Sequence, residues 1–360
     1  MHGFELVLFL LCFFGALLTV INSFSMRVVR RDISAHVEES VSVLVPMRNE
    51  EHNVDGLVNS LTTSIGLRNW DLTVLNDGST DATGSKLAEF QIGLIDGSPL
   101  PSGWLGKNWA CAQLANSATG EILVFIDADV RLDSTAIAAA IAKMKSLQWE
   151  FISPYPRQIA ESWIERLIQP LLQWSWLSSV PLRLAQRFRI SSMTVANGQF
   201  FIVKRSAYEK VGGHSSIKRE VLDDLRLARL LISHGFSGGV AEGSQVATCR
   251  MYETTSSLVQ GYTKSLWNAF GGFFGTLFTV ALLITTQILP LMLGLGGSLF
   301  SWLAYFMTAL THGVAAARTK NAPTNVFMHP IAAFILIILI IESLRRKRSG
   351  SLTWRERMLP

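Results

Sequence analysis

The sequence predicts an α/β fold with a mainly parallel central sheet, bracketed by transmembrane helices at both ends. Three observations carry this expectation. Short apolar runs alternate with helical stretches, and each run stops at a polar or acidic cluster. That alternation implies right-handed strand–helix–strand units. Long uncharged apolar stretches lie near both ends of the chain. Charged residues make up 16% of the 360, against about 25% in a soluble domain, a shortfall that membrane segments explain.

The net charge of +5 is modest, and the central part of the chain has no long basic run. Nucleic acid is therefore not an expected partner, and the basic residues read as membrane-flanking. The three cysteines, Cys12, Cys111 and Cys249, are far apart and lack metal-ligand spacing. They read as reduced thiols rather than a disulfide framework.

Residues 1–26 are expected to form an N-terminal transmembrane anchor. Leu6 to Ile21 is apolar and uncharged, about the length that spans a bilayer. A cleaved signal peptide would want positive residues ahead of this run, but only His2 precedes it. Arg27, Arg30 and Arg31 follow, in a basic juxtamembrane linker at 27–40. The positive-inside rule then places the N-terminus outside and the next domain in the cytoplasm.

A catalytic α/β domain is expected over 41–267. Val41 to Pro46 reads as a strand stopped by proline, followed by the polar loop Met47-Arg48-Asn49-Glu50-Glu51 and a helix through about Leu61. Asp71 to Asn76 is the next strand, and Asp77-Gly-Ser-Thr-Asp81 is a turn and helix cap. Gln91 to Ile95 is a candidate third strand. Glu121 to Ile126 is short, solidly apolar and unalternating, as in a strand buried on both faces. It ends in Asp127-Ala-Asp129. The carboxyl ends of such strands form the rim where open α/β sheets bind ligands. Two carboxylates there can share a divalent cation with a diphosphate, because hard cations prefer oxygen donors. As a lone pair they are equally well strand-end residues, so the convergence of clusters on one rim matters more than any one of them.

Further along, Gly103-Trp-Leu-Gly-Lys107-Asn108 lacks the glycine and Ser/Thr of a Walker loop. It can still set a lysine and helix N-terminal amides near a phosphate, or be a surface turn. Residues 159–190, with Trp163, Trp174 and Trp176 among Leu, Ile and Arg, read as an interfacial segment, with packing on the protein's own core as the alternative. Asn197 to Val203 is another strand. Val211-Gly-Gly-His214 is a glycine turn in which His214 is read as a turn or packing residue. Asp223-Asp224 opens a helix. Asp224 is a candidate general base, and acids in a first helical turn also complement the dipole.

Residues 268–344 form the expected C-terminal membrane region of two to three helices. No charged residue occurs from Asn268 to Ala317, enough for two spans joined near Gly294 to Gly297. Val326 to Ile341 is the shortest apolar run, and one of the three runs is expected to be re-entrant or interfacial. A basic tail at 345–360 closes the chain. Three full spans after a cytoplasmic domain would put that tail outside, against the positive-inside rule.

Taken in order, Val-Leu-Val-Pro46-Met-Arg48-Asn-Glu50, Asn76-Asp77-Gly-Ser-Thr-Asp81, Asp127-Ala-Asp129 and Asp223-Asp224 resemble a family-two glycosyltransferase of the GT-A fold, over about residues 42–267. Gly103 to Ala110, Asn197-Gly-Gln199 and Gln260-Gly-Tyr-Thr-Lys264 further resemble its membrane-bound branch, which includes hopanoid-associated and carotenoid (diaponeurosporenoate) glycosyltransferases. The resemblance implies an inverting, metal-dependent transferase. It implies that Pro46, Arg48, Glu50, Asp77, Lys107, Asp127, Gln199 and Lys264 contact a nucleotide-sugar, a UDP-sugar by expectation. Asp129 with Asp127 would hold the divalent metal (Mg2+ or Mn2+), and Asp224 with Asp223 would be catalytic. Three departures stand out: Asn76 replaces the first acid of the usual Asp-Asp pair, Asp223 replaces a Glu, and the processive synthases' Gln-x-x-Arg-Trp is missing. The expected activity is therefore a single, non-processive hexose transfer.

The expected partners are the nucleotide-sugar donor, a lipid-soluble acceptor (carotenoid, hopanoid or glycolipid) and the membrane. The expected location is the cell membrane, multi-pass, with the catalytic domain cytoplasmic and its rim close to the bilayer. Two other readings stay open: a polyprenyl-phosphate glycosyltransferase, and a non-catalytic membrane scaffold with a nucleotide-binding domain.

Overall fold

The computed structural model describes residues 2–354 and 357–358. Met1 of the expected anchor and Arg355, Glu356, Leu359 and Pro360 of the expected tail lie outside the described residues. The chain divides into two compact units, one built from 27–157 with 184–250, the other from the residues up to 26, 158–183 and 251 onward.

The first unit is built on a sheet. Its early strands are β1 (Val37–Met47), β2 (Leu67–Asn76), β3 (Gly93–Asp96), β4 (Ile122–Ile126) and β5 (Val130–Leu132). Then come β6 (Phe151–Tyr155), β7 (Arg157–Gln158), β8 (Phe200–Lys204), β9 (Gly238–Glu242) and β10 (Ala247–Cys249). Seven of them form one sheet in the order β3-β2-β1-β4-β8-β6-β9. The pairings β2·β3, β1·β2, β1·β4 and β6·β9 are parallel. β8 alone runs antiparallel, to β4 and to β6. The α/β, mainly parallel expectation holds.

Every residue of β4 is buried, as its unbroken Ile-Leu-Val-Phe-Ile run requires of a central strand. The helices Gly106–Ser117 and Asp223–Ser233 bury Leu114, Leu227 and Leu231 in a core with Leu44, Leu123 and Phe201. Phe151 and Phe201 stack at 5.6 Å within it. All three cysteines are buried free thiols.

Pro46 does not stop its strand: β1 continues to Met47, still in register with β2. The reason lies on its other edge. β4 pairs with β1 only from Val41 to Leu44, so at Pro46 the missing N–H costs no ladder bond on that side. The extended segment before β1 is also pinned within this unit. Val29 N–H donates to Glu242 O at 2.8 Å, and Arg31 pairs with Asp133 at 2.9 Å.

The second unit is helical. Among the described residues four helices are long and apolar enough to cross a membrane: Gly3–Ser25, Phe273–Leu295, Leu299–Thr319 and Asn325–Arg348. The uncharged stretch does split at the predicted glycines, where Gly297 turns with φ +95°. The shortest apolar run proves to sit inside the longest of the C-terminal helices, 24 residues. The charged end Glu342 to Arg348 extends it past the apolar run, with Asn325 added at the other end. Within this unit Trp174 is buried, stacks on His312 at 4.4 Å, and donates from Nε1 to Thr311 Oγ1 at 2.7 Å. Trp163 is 54% exposed, so the tryptophans of 159–190 divide between packing and open surface.

Candidate functional site

Parallel β1, β2 and β4 bring their carboxyl ends to one rim, and with them Arg48, Asp77 and Asp127. β8 runs the other way, so its amino end reaches the same rim: Phe200 pairs with Ile126. Asp127 N–H therefore donates to Gln199 O at 3.1 Å. The strand order explains why Asn197-Gly-Gln199, far away in sequence, adjoins Asp127.

The motifs after β1 and β2 lock onto each other. Arg48 Nη1 donates to the carbonyls of Asp77 (2.6 Å) and Gly78 (2.9 Å). Asn49 takes a left-handed φ of 52°, which Asn tolerates because its short side chain bonds locally. Its Oδ1 accepts from Thr80 N–H at 2.9 Å. Glu50 N–H donates to Thr83 Oγ1 at 2.8 Å, and Glu50 Oε2 accepts from Asn53 Nδ2 at 2.9 Å. Asp77 is buried between these loops.

Beside them lies a pocket whose lining includes Pro46, Lys107, Asp127, Gly198, Asp223 and Asp224. Lys107, in the first turn of the helix Gly106–Ser117, sets Nζ 2.8 Å from Asp127 Oδ1 and 3.5 Å from Asp223 Oδ2. Asp224, opening the helix Asp223–Ser233, accepts Gly198 N–H at 2.6 Å and its neighbour Leu225 N–H at 2.7 Å. Glycine at 198 permits this approach. A Cβ there would lie 3.1 Å from Asp224 Cβ and 3.2 Å from Lys107 Nζ.

Burial dominates the electrostatics. It pushes the Asp127 carboxyl up to about 6, against the pull of Lys107. It likewise pushes Asp224 up to about 6, helped by the like charge of Asp223. Burial alone would lower the Lys107 ammonium, but Asp127 and Asp223 outweigh it and hold Lys107 well above the usual lysine range. The pocket thus keeps a fixed cation beside carboxyls poised to exchange protons near neutrality.

Asp129 is arranged differently. Its Oδ1 is buried and takes no hydrogen bond. The amide of Gln199 donates to Cys249 Sγ nearby at 2.9 Å. An unsatisfied carboxylate oxygen close to a second carboxylate suits a hard divalent cation. Asp127 is already engaged by Lys107, so a cation here would draw further oxygens from its ligand. Among the described residues no group of three or more His, Cys, Asp or Glu could hold a metal ion by itself.

Lys264 lies on the helix Thr255–Ala269, in the other unit. The pocket also recruits residues with no motif signal. Cys111 lines it one helical turn beyond Lys107, and His214 lines it from the glycine turn. The sequence marked Cys111 only as a reduced thiol, and nothing in it pointed His214 toward the pocket.

Residues 42–212 match the model for glycosyl transferase family 2. The chain is 25% identical over 339 residues to the 4,4'-diaponeurosporenoate glycosyltransferase of Staphylococcus aureus strain USA300, covering 89% of this chain and 88% of that one. The corresponding enzyme of strain MRSA252 matches over the same extent. A mannosyltransferase from Pyrobaculum calidifontis, solved in complex with GDP-Man and Mn2+, superposes with a TM-score of 0.53 at 17% identity. That match covers 97% of this chain and 99% of the mannosyltransferase. At such identity the likeness speaks for the fold alone, a GT-A α/β fold with a mainly parallel central sheet.

Proposed function

We propose that this chain, whose residues 42–212 form a glycosyl transferase family 2 domain, moves a hexose from a nucleotide-sugar to a lipid-soluble acceptor in a single inverting transfer. The observation that carries the reading is the pocket itself, where Lys107, Asp127, Asp223 and Asp224 converge at the strand-end rim. Glu50, Asp77 and Arg48 on the adjoining loops bind the nucleoside part, with Arg48 acting by holding the Asp77–Gly78 backbone. Pro46 and Gln199 wall the donor site, and Lys107 meets its phosphates. Lys264 is assigned to the donor by resemblance alone.

Asp129 and Asp127 would hold a Mg2+ or Mn2+ ion with the donor diphosphate, and that ion would neutralise charge developing on the leaving group. Asp224 is the general base. A carboxyl raised to about 6 is mostly ionised at neutral pH, yet a better proton acceptor than an ordinary aspartate. Asp223 raises its neighbour's proton affinity and faces Lys107. The four helices fit to cross a membrane among the described residues support a lipid-soluble acceptor. The carotenoid glycosyltransferase relatives support the same class of acceptor. Arg27, Arg30 and Arg31 after the first helix support a transferase domain on the cytoplasmic side of the cell membrane.

The test is to express the full chain and its Asp129→Ala variant in a host making carotenoids, extract the lipids and weigh them. A hexose mass increment on a lipid from the native chain alone is the expected result. Its absence with every hydroxyl or carboxyl lipid, together with transfer to a polyprenyl phosphate, would move the enzyme to that acceptor class.

A further inference from the structure

His214 is buried in the pocket wall, and its ring packs edge-on against Phe125 at 5.0 Å. Gly212 and Gly213 put it there. Both have positive φ, and a Cβ on Gly213 would strike the Tyr208 ring at 2.2 Å. The turn thereby presses His214 onto Tyr208. The Tyr208 hydroxyl oxygen accepts the His214 backbone N–H at 3.1 Å and lies 2.8 Å from His214 Nδ1.

Hydrogen-bond balance fixes the tautomer. Tyr208 is buried, so its O–H needs an acceptor. Its oxygen already accepts the backbone N–H, and Nδ1 is the ring nitrogen within reach. Tyr208 therefore donates to Nδ1, and the ring proton sits on Nε2. Nδ1 and Nε2 leave the ring on different sides, so the nitrogen not held by Tyr208 is the one available to the pocket.

We propose that His214 is a ligand-binding residue of this pocket, donating Nε2–H to an anionic oxygen of the bound diphosphate. This rests on the nucleotide-sugar reading above and adds a residue to it. The pocket lining otherwise offers three carboxylates, Asp127, Asp223 and Asp224, and one ammonium, Lys107. A diphosphate needs further donors there. A neutral N–H serves better than a second cation, because a positive imidazole would favour the ionised form of Asp224 and weaken it as a base. Burial keeps the ring neutral, lowering His214 to about 4 despite the opposing pull of Asp223. The titratable groups that line the pocket with the ring are Lys107 and Cys111 from one helix, Asp223 and Asp224 from another, and Asp127 at the end of β4, while Tyr208 bonds it from its own segment.

The experiment titrates the detergent-solubilised full chain with UDP and, separately, with GDP, in the presence of Mg2+. His214→Phe keeps the ring without the donor, and His214→Gln keeps a neutral N–H. We expect His214→Phe to weaken nucleoside-diphosphate binding about tenfold and His214→Gln to weaken it less, as for loss and partial retention of a charge-assisted bond. Native affinity in His214→Phe overturns the proposal while leaving the nucleotide-sugar reading intact. Binding of neither nucleotide by the native chain overturns both. A second measurement does not depend on the Phe variant folding. Ring 15N spectra of the native chain, with His214 identified among the 7 histidines by its loss in His214→Gln, should show the Nε2–H tautomer from about pH 6 to pH 8. Its Nε2 signal should move on saturation with the binding nucleotide. An Nδ1–H tautomer, or an unmoved signal, overturns the proposal.

Discussion

The Lys107 ammonium stands 2.8 Å from one oxygen of Asp127 and 3.0 Å from the other. The contact joins the start of a helix to the end of the central strand. It also leaves Asp127 engaged by a charge that a donor's phosphates would share.

Removing that charge separates the two roles. Lys107→Met keeps the aliphatic stem and leaves Asp127 without its cation. Asp127 should then rise further above about 6. Lys107 is 38% exposed, so solvent screening limits the stability loss to roughly 1 kcal/mol. Nucleoside-diphosphate affinity should fall more steeply than the melting temperature suggests. Calorimetric binding and thermal unfolding of the same preparation check this. Native affinity in Lys107→Met would remove Lys107 from the donor site.

Asp224 gives the activity and the stability opposite pH trends. Its raised pKa means that protonation stabilises the folded state. That stabilisation is full below the ordinary aspartate value of 3.8 and is lost as pH rises through about 6. The transfer rate needs the ionised form, so it should climb as pH rises through about 6. Asp224→Asn should flatten the rate limb and remove this residue's share of the stability trend, with a fall in rate of at least about a hundredfold. A rate–pH profile of both proteins, with unfolding followed over the same range, decides it. An unchanged profile in Asp224→Asn would end its candidacy as base.

Much of the site was legible because strand ends in a parallel sheet share one rim. Arg48, Asp77 and Asp127 each follow an apolar run, and reading those runs as parallel strands is enough to gather them. Gln199 and Gly198 were harder. They reach the rim only because β8 runs antiparallel, and strand direction leaves no local trace. Pro46 looked like a strand terminator because a local rule ignores which edge of β1 lacks a partner. The helix Asn325–Arg348 looked too short because its carboxyl end, Glu342 to Arg348, is polar. His214 left no signal because a His after two glycines resembles any turn residue, and Tyr208, which holds it, is a long-range constraint in all but sequence distance.

Asp129 carries a prediction about the cation. Its Oδ1 makes no hydrogen bond, so Asp129→Asn removes charge and donor strength without breaking a bond at that atom. The fold should hold, with unfolding close to native. Divalent-cation stimulation of transfer should drop by at least about a hundredfold, the scale of losing a positioned electrostatic partner. Titrating Mg2+ and Mn2+ against initial rate reads this directly. A variant that keeps the native metal response would mean that the cation is held elsewhere.

Gly198 tests how tightly the base is placed. Alanine there brings Cβ to 3.1 Å from Asp224 Cβ and 3.2 Å from Lys107 Nζ, closer than ordinary van der Waals contact. Lysine can swing away, since its ammonium ends a flexible stem. Asp224 cannot move so freely, because Leu225 N–H and Gly198 N–H hold both its oxygens. The strain should therefore fall on the Gly198–Asp224 hydrogen bond and tilt the carboxylate. Displacements near 1 Å at a reacting group can cost about a hundredfold, so we expect Gly198→Ala to lower kcat by ten- to a hundredfold. Stability should change by less than about 1 kcal/mol, because the crowding is confined to the pocket rim. KM for the donor should move little if Lys107 re-forms its contact from a new rotamer. Steady-state kinetics with an unfolding curve separate these terms. Native kcat in a folded Gly198→Ala protein would show that the 2.6 Å bond from Gly198 does not position Asp224 for catalysis.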